Sequence, residues 1–164
     1  MRIEEIKQLY SFDHWSNARL WLAVLDLSAD QLNADISNGI GGIQTTMLHM
    51  VNGAWTWRMR WEGGMPAHAL GTEDFPTLQL VRGRWQEEEG QRQRLLETLQ
   101  DSDLDRELHY VRPSAPGQMA TMRLWTSMLH VINHHTQHRS EIAMQLTRLG
   151  HSPGELGMTQ YFAR

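Results

Sequence analysis

The sequence predicts an all-α protein, a four-helix bundle with a short irregular or hairpin excursion before the last long helix. Three observations carry that reading. Four long stretches repeat apolar residues at helical spacing. Segments rich in glycine and proline separate them. No stretch alternates with the two-residue period of a strand. The 164 residues are read as one domain spanning 1–164, long enough to bury a core without staples.

The first long helix is expected from about Ile3 to Leu27, with Ile6, Leu9, Phe12, Trp15 and Leu22 at roughly helical spacing. Ser28 to Leu32 reads as a short cap and turn. A loop follows through Asn38, Gly39, Ile40, Gly41 and Gly42, where the glycines permit a tight re-entry. The second helix is expected from about Ile43 to Glu62. Its stripe is Ile43, Met47, Met50, Ala54, Trp57 and Trp61, and Gly63, Gly64 and Pro66 stop it. A loop from Met65 to Phe75 leads to a third helix, expected from about Thr77 to Gln100. That helix carries Leu78, Val81, Trp85, Leu95, Leu96 and Leu99. Gly83 and Gly90 weaken it by roughly 1 kcal/mol each relative to alanine.

Residues Leu108 to Met122 break the pattern and read as a small hairpin or an extended loop. The fourth helix is expected from about Leu124 to Leu149, with Gly150 as C-terminal cap and Pro153 beyond it. The tail from His151 to Arg164 is expected to pack back on the bundle.

Composition excludes several functions. There are 19 Asp and Glu against 15 Lys and Arg, a net charge of −4. That balance leaves no electrostatic footprint for nucleic acid. Arg82, Arg84, Arg92 and Arg94 lie among Glu87, Glu88 and Glu89, and the segment reads as a solvated helix face of mixed sign. The chain has no cysteine, which removes disulfides, thiolate nucleophiles and cysteine–zinc sites together. No apolar run reaches membrane-spanning length, and Met1-Arg2-Ile3-Glu4-Glu5 does not read as a signal peptide. The expectation is a cytoplasmic protein with neither membrane nor nucleic acid as partner. Seven Trp and ten Met read first as a bulky helical core. Trp15, Trp57 and Trp61 are candidate walls for a ligand pocket.

The most informative stretch runs from His130 to Glu141. Four of the nine histidines fall within it, at 130, 134, 135 and 138. Residues four apart on a helix stand one turn above each other, roughly 6 Å along the axis. His134 and His138 can therefore aim two imidazoles at one spot, and imidazole is a common ligand for zinc, nickel, copper and iron. On a helical wheel Leu124, Met128, Val131, Ile142, Leu146 and Leu149 define the apolar face. His135 lies near its centre with His138 beside it, His134 at its flank and His130 further out. The wheel thus places His138 inward and leaves the second ligand open between His134 and His135. A third ligand has to come from elsewhere, and the candidates are His14, His49, His68, His109 and His151. His49 stands out because Gly53, one turn on, leaves room for a ligand or water.

These residues resemble a family. The segment Asn133-His134-His135-Thr136-Gln137-His138-Arg139-Ser140-Glu141 resembles the Asn-His-x-x-His-His-Arg-Gly-Gln signature of the DinB/YfiT-like superfamily. Trp15-Ser16-Asn17 resembles the Trp-Ala-Asn of its first helix. His49, with Trp57, Arg60 and Gly63 after it, resembles its second-helix motif, and Gly117 fits its turn before the last helix. The likeness extends from about Phe12 to Gly150. It implies a four-helix bundle in which His49, His134 and His138 hold a divalent metal ion, zinc or nickel foremost, and it implies a homodimer. Some members of that superfamily use a low-molecular-weight thiol such as mycothiol or bacillithiol for isomerisation or transfer, and others are assigned as metal-dependent hydrolases. This sequence departs from the pattern at Gln137, at Ser140-Glu141 and at Ala54.

Two functional expectations follow. The first is a metal-dependent enzyme, a hydrolase or a thiol-dependent transferase or isomerase, because three protein ligands leave an open coordination position. Glu141 is the candidate proton acceptor, or else the group that orients a ligand imidazole. The alternative is a non-catalytic module in which the ion ties two helices together and the protein answers stress or binds another protein.

Overall fold

The structure, a computed structural model, describes residues 1–36, 39–112, 115 and 117–163. The chain forms α1 (Ile3–Val24), α2 (Ala29–Asn33), α3 (Ile43–Trp61), α4 (Leu78–Thr98), β1 (Glu107–Val111), β2 (Met119–Arg123), α5 (Leu124–Arg148) and α6 (Met158–Phe162). The four long helices are those expected from the sequence, with ends shifted by three residues or fewer. The cap read at Ser28 is one turn of helix: Ser28 Oγ accepts from the Gln31 amide at 3.3 Å and Gln31 Oε1 accepts from the Ser28 amide at 2.9 Å.

The excursion is a hairpin. β1 and β2 pair antiparallel from Glu107 opposite Arg123 to Val111 opposite Met119, and Gly117 takes φ +86° in the turn between them. Asn38 and Pro113 lie outside the described residues. β2 runs directly into α5, and the Leu124 and Trp125 amides donate back to the carbonyls of Arg106 and Leu104 at 2.9 and 3.1 Å. α5 ends in a Schellman motif at Gly150, φ +84°. There the His151 amide donates to Leu146 O at 2.8 Å and the Gly150 amide to Thr147 O at 3.1 Å. The tail does pack back. Ser16 Oγ donates to Leu156 O at 2.9 Å, and Tyr161 and Phe162 of α6 close on Phe12.

α5 is the central helix. It packs along α1 on one side and α3 on the other, and α4 packs on α3. The core has two apolar ends. One gathers Leu20, Trp21, Val24, Ile43, Met47, Met50, Val81, Trp85, Ile142 and Leu146. The other gathers Ile6, Tyr10, Ala54, Trp57, Trp61, Leu96, Leu124, Met128 and Val131. Between them lies a polar waist of Asp13, Ser16, Asn17, Glu88, Arg92, His135, His138 and Arg139, all buried.

The waist corrects two sequence expectations. The inward face of α1 holds Asp13, Ser16 and Asn17 as well as apolar residues, whereas Leu22 is 65% exposed. An apolar stripe drawn through hydrophobic residues alone therefore drifts off the true face. The mixed-sign segment of α4 is likewise not wholly solvated, since Glu88 and Arg92 are 1% and 4% exposed. Glu88 Oε1 accepts from Arg58 Nε of α3 at 2.7 Å.

Asp13 is the hub of the waist. One carboxylate oxygen lies 2.7 Å from His135 Nδ1, and the other accepts from Arg139 Nη1 at 2.8 Å. Arg139 Nη1 also donates to Asn17 Oδ1 at 2.9 Å. Burial acts to raise the Asp13 carboxyl, but the imidazole of His135, followed by the guanidiniums of Arg139 and Arg92, outweighs it and holds the group well below the usual carboxylate range. A carboxyl depressed in the folded state contributes stability above its unfolded pKa of about 3.9, and that contribution is lost as pH falls through the folded value. Asp13→Asn is therefore expected to cost about 3–5 kcal/mol in urea unfolding at pH 7, because it leaves the buried Arg139 guanidinium uncompensated. The gap between wild type and variant should narrow once the pH falls below about 4.

Candidate metal site

α3 and α5 bring three histidines together. His49 lies on α3, one turn before Gly53, and His134 and His138 lie one turn apart on α5. One ring nitrogen from each falls within 4.8 Å of the other two. His134 Nε2 stands 2.9 Å from His49 Nε2. The ring centroids are 4.6 to 4.9 Å apart and none of the pairs is parallel, so the rings meet by edges and not by stacked faces. His138 Nδ1 is engaged by Glu141 Oε2 at 2.8 Å, which leaves its Nε2 as the nitrogen facing its neighbours.

The electrostatics favour neutral rings at 134 and 49. Burial first, and then the neighbouring imidazoles, push His134 down to about 3. Burial, and then His138, lower His49. Neutral imidazole is the form with a lone pair to donate. His138 is buried, while His49 and His134 are only partly so, and solvent therefore reaches one side of the cluster.

Gly53 makes the approach of the two helices possible. A Cβ there would stand 2.9 Å from His134 Cε1 and 3.1 Å from its Nδ1. The room that the sequence assigns to a ligand or water is filled by the His134 ring itself.

The remaining histidines serve elsewhere. His135, adjacent in sequence, is fully buried and turned to Asp13 on α1. His130 is exposed, and its ring meets Trp57 at 5.2 Å. His14 is exposed and bonds Glu89 Oε1 through Nδ1 at 2.9 Å. His109 bonds Thr121 across the hairpin at 3.0 Å, and His68 is exposed. Of the three tryptophans read as pocket walls, Trp57 is buried and meets His130 and Tyr110 edge-on, with the Arg60 guanidinium 4.7 Å above it. Trp61 is sealed in the core and donates to Ser127 Oγ at 2.8 Å. Trp15 lies on the outer side of α1 against Tyr161. Asp13, Asn17 and Arg139 escape the sequence reading. The signal available for them was polar residues recurring at core-facing positions of α1 and α5.

The donor set fits a divalent cation: three imidazole nitrogen donors, one of them oriented by a carboxylate, with solvent on one side. Gly53→Ala is expected to favour the helix by up to about 1 kcal/mol and yet to displace the His134 ring. Thermal melting should show an unchanged or raised Tm, while zinc affinity measured by competition with a chromogenic chelator should fall about tenfold or more.

Comparison with known proteins agrees with this fold. No curated protein matches the sequence. Among solved structures, the chain superposes on YfiT from Bacillus subtilis with a TM-score of 0.67 at 16% identity, covering 90% of this chain and 89% of that one. That protein is described as a probable metal-dependent hydrolase with an unusual four-helix bundle topology. The sequence matches the family model of the DinB family over residues 3–163, and the chain belongs to the DinB family.

Proposed function

We propose that this protein is a metal-dependent enzyme of the hydrolase type, with a divalent ion held by Nε2 of His49, His134 and His138. The observation that carries the reading is the convergence of three imidazoles from two helices on one partly open point. When bound, an ion with three imidazole ligands supplies Lewis acidity together with an open coordination position.

The chain's own residues have definable tasks. Glu141 accepts from His138 Nδ1–H, which selects the tautomer with its lone pair on Nε2 and stops the ring from turning. We assign Glu141 as a positioning residue. Asp13 and Arg139 hold the neighbouring turn of α5 against α1, and so fix the direction of His134. His130, exposed and 6.2 Å from His134 with the buried Trp57 behind it, offers a flat surface next to the cluster, suited to the apolar part of a substrate. A low-molecular-weight thiol as second reactant belongs to the same reading, since a chain without cysteine would have to borrow sulfur. Open access to the cluster favours chemistry over a purely structural ion, which is normally closed off by four protein ligands.

Elemental analysis of protein purified without a nickel column should find about one zinc, nickel or similar ion per chain. Alanine at 49, 134 or 138 should each reduce the bound metal to near background. Retention of full metal by all three variants would overturn the assignment. Metal-loaded protein should turn over members of a panel of activated esters, amides and thiol acceptors, with loss of turnover in His134→Ala. Glu141→Gln, which keeps an acceptor but not the carboxylate charge, should lower metal affinity by about 10–100-fold without altering the far-UV circular dichroism.

A further inference from the structure

We propose that the gap between α1 and α4 is a second ligand site, built for a small organic anion: a carboxylate or phosphate carried on a flat apolar body. The helices follow one another around the bundle as α1, α5, α3 and α4, and the closing pair, α1 with α4, meets only sparsely. A cleft of about 870 Å³ opens along that seam, a size typical of small-molecule sites. None of the three clustered histidines lines it.

Gly90 lies on this cleft in the middle of α4. Glycine in a helix interior costs up to about 1 kcal/mol relative to alanine, and helix packing gives no reason for it here. A Cβ at this position would meet only Arg94 Nη1, at 3.6 Å, and nothing from α1. The missing side chain widens the cleft.

The buried polar group of the cleft is Arg92. It is 4% exposed, and its Nη1 has no hydrogen-bond partner among the described residues. Its guanidinium lies over the Tyr10 ring at 5.2 Å. Neighbouring carboxylates leave Arg92 Nη1 without a hydrogen bond. Glu89 Oε1 bonds His14 Nδ1 at 2.9 Å and stays 3.9 Å from Arg92 Nη2, beyond hydrogen-bond reach. Glu88, one turn before, gives Oε1 to Arg58 on α3 and leaves Oε2 without a hydrogen-bond partner among the described residues, and Asp13 holds His135 and Arg139. A buried guanidinium lacking its full complement of partners is costly, and its planar fork matches a carboxylate or phosphate. Lys7 adds a second cation to the lining and Glu97 an exposed carboxylate. Trp15 and Tyr161, 5.4 Å apart at 49°, together with Leu96, supply the apolar surface for the body of the ligand.

Isothermal titration calorimetry of the intact protein with indole-3-acetate, phenyl phosphate and the neutral indole-3-acetamide tests the assignment. One or both anions should bind, and the amide should bind at least about tenfold more weakly, as loss of a charged hydrogen bond requires. The two anions tell a carboxylate site from a phosphate site. Gly90→Leu, which favours the helix and fills the cleft, should abolish binding with Tm unchanged or raised. Arg92→Gln should erase the preference for the anion over the amide. Because carboxylates also bind metal ions, His49→Ala serves as the control: anion binding that vanishes there but survives Gly90→Leu would place the ligand at the histidine cluster and overturn the proposal. Absence of binding by either anion at millimolar concentration would overturn it as well, and neither result would overturn the metal assignment.

Discussion

One buried carboxylate organises the middle of this molecule. Asp13 engages His135 with one oxygen and Arg139 with the other, and so ties α1 to α5 at the level where the core is polar. Successive residues on a helix are about 100° apart. Turning His135 towards α1 therefore turns His134 towards α3, where His49 stands. Two adjacent histidines of the same chemistry thus take different tasks. One ring is consumed by a structural hydrogen bond to a carboxylate, and the other is aimed at a cluster open to solvent.

A polar waist between two apolar ends is costly to assemble, since each buried charge must be matched by an opposite charge or by hydrogen bonds. Here most of the matching comes from elements far apart in sequence: Asp13 with Arg139, Arg58 with Glu88, Tyr10 with the Met128 carbonyl. Such pairs are directional, so they set the axial register of the helices more tightly than apolar packing does. That register brings Gly53 opposite His134, and it is why α3 and α5 can share three rings within one small volume. The hairpin adds to the same end. Its second strand feeds into α5 without a loop, so the first turn of that helix is anchored before the histidines begin.

The order of the helices has a second consequence. With α5 packed between α1 and α3, and α4 placed outside α3, the bundle is tight on three seams and loose on the fourth. The histidine cluster occupies a tight seam, where a rigid donor set is held. The loose seam carries an incompletely partnered guanidinium beside aromatic rings. Both features are read from this chain's own residues.

Much of this was legible in the sequence. Helical periodicity, glycine stops and the Gly150–Pro153 terminator place the four long helices, because each depends on contacts within a few residues. The wheel of the last helix ranks its histidines correctly by burial: His135 and His138 inside, His134 at the flank, His130 outside. The choice of His134 over His135 as partner to His49 was not legible from periodicity. It came from a family resemblance, and physically it depends on Asp13, more than one hundred residues away. Burial of Arg92 and Glu88 was hidden for the same reason, since a charged residue on an amphipathic helix reads as solvated until its partner across the bundle is known. Local spacing by itself determined which helices form and which histidines share a face. Only the tertiary structure decided which ring meets which partner, because hydrogen bonds and ion pairs between distant segments exist only once the helices are packed.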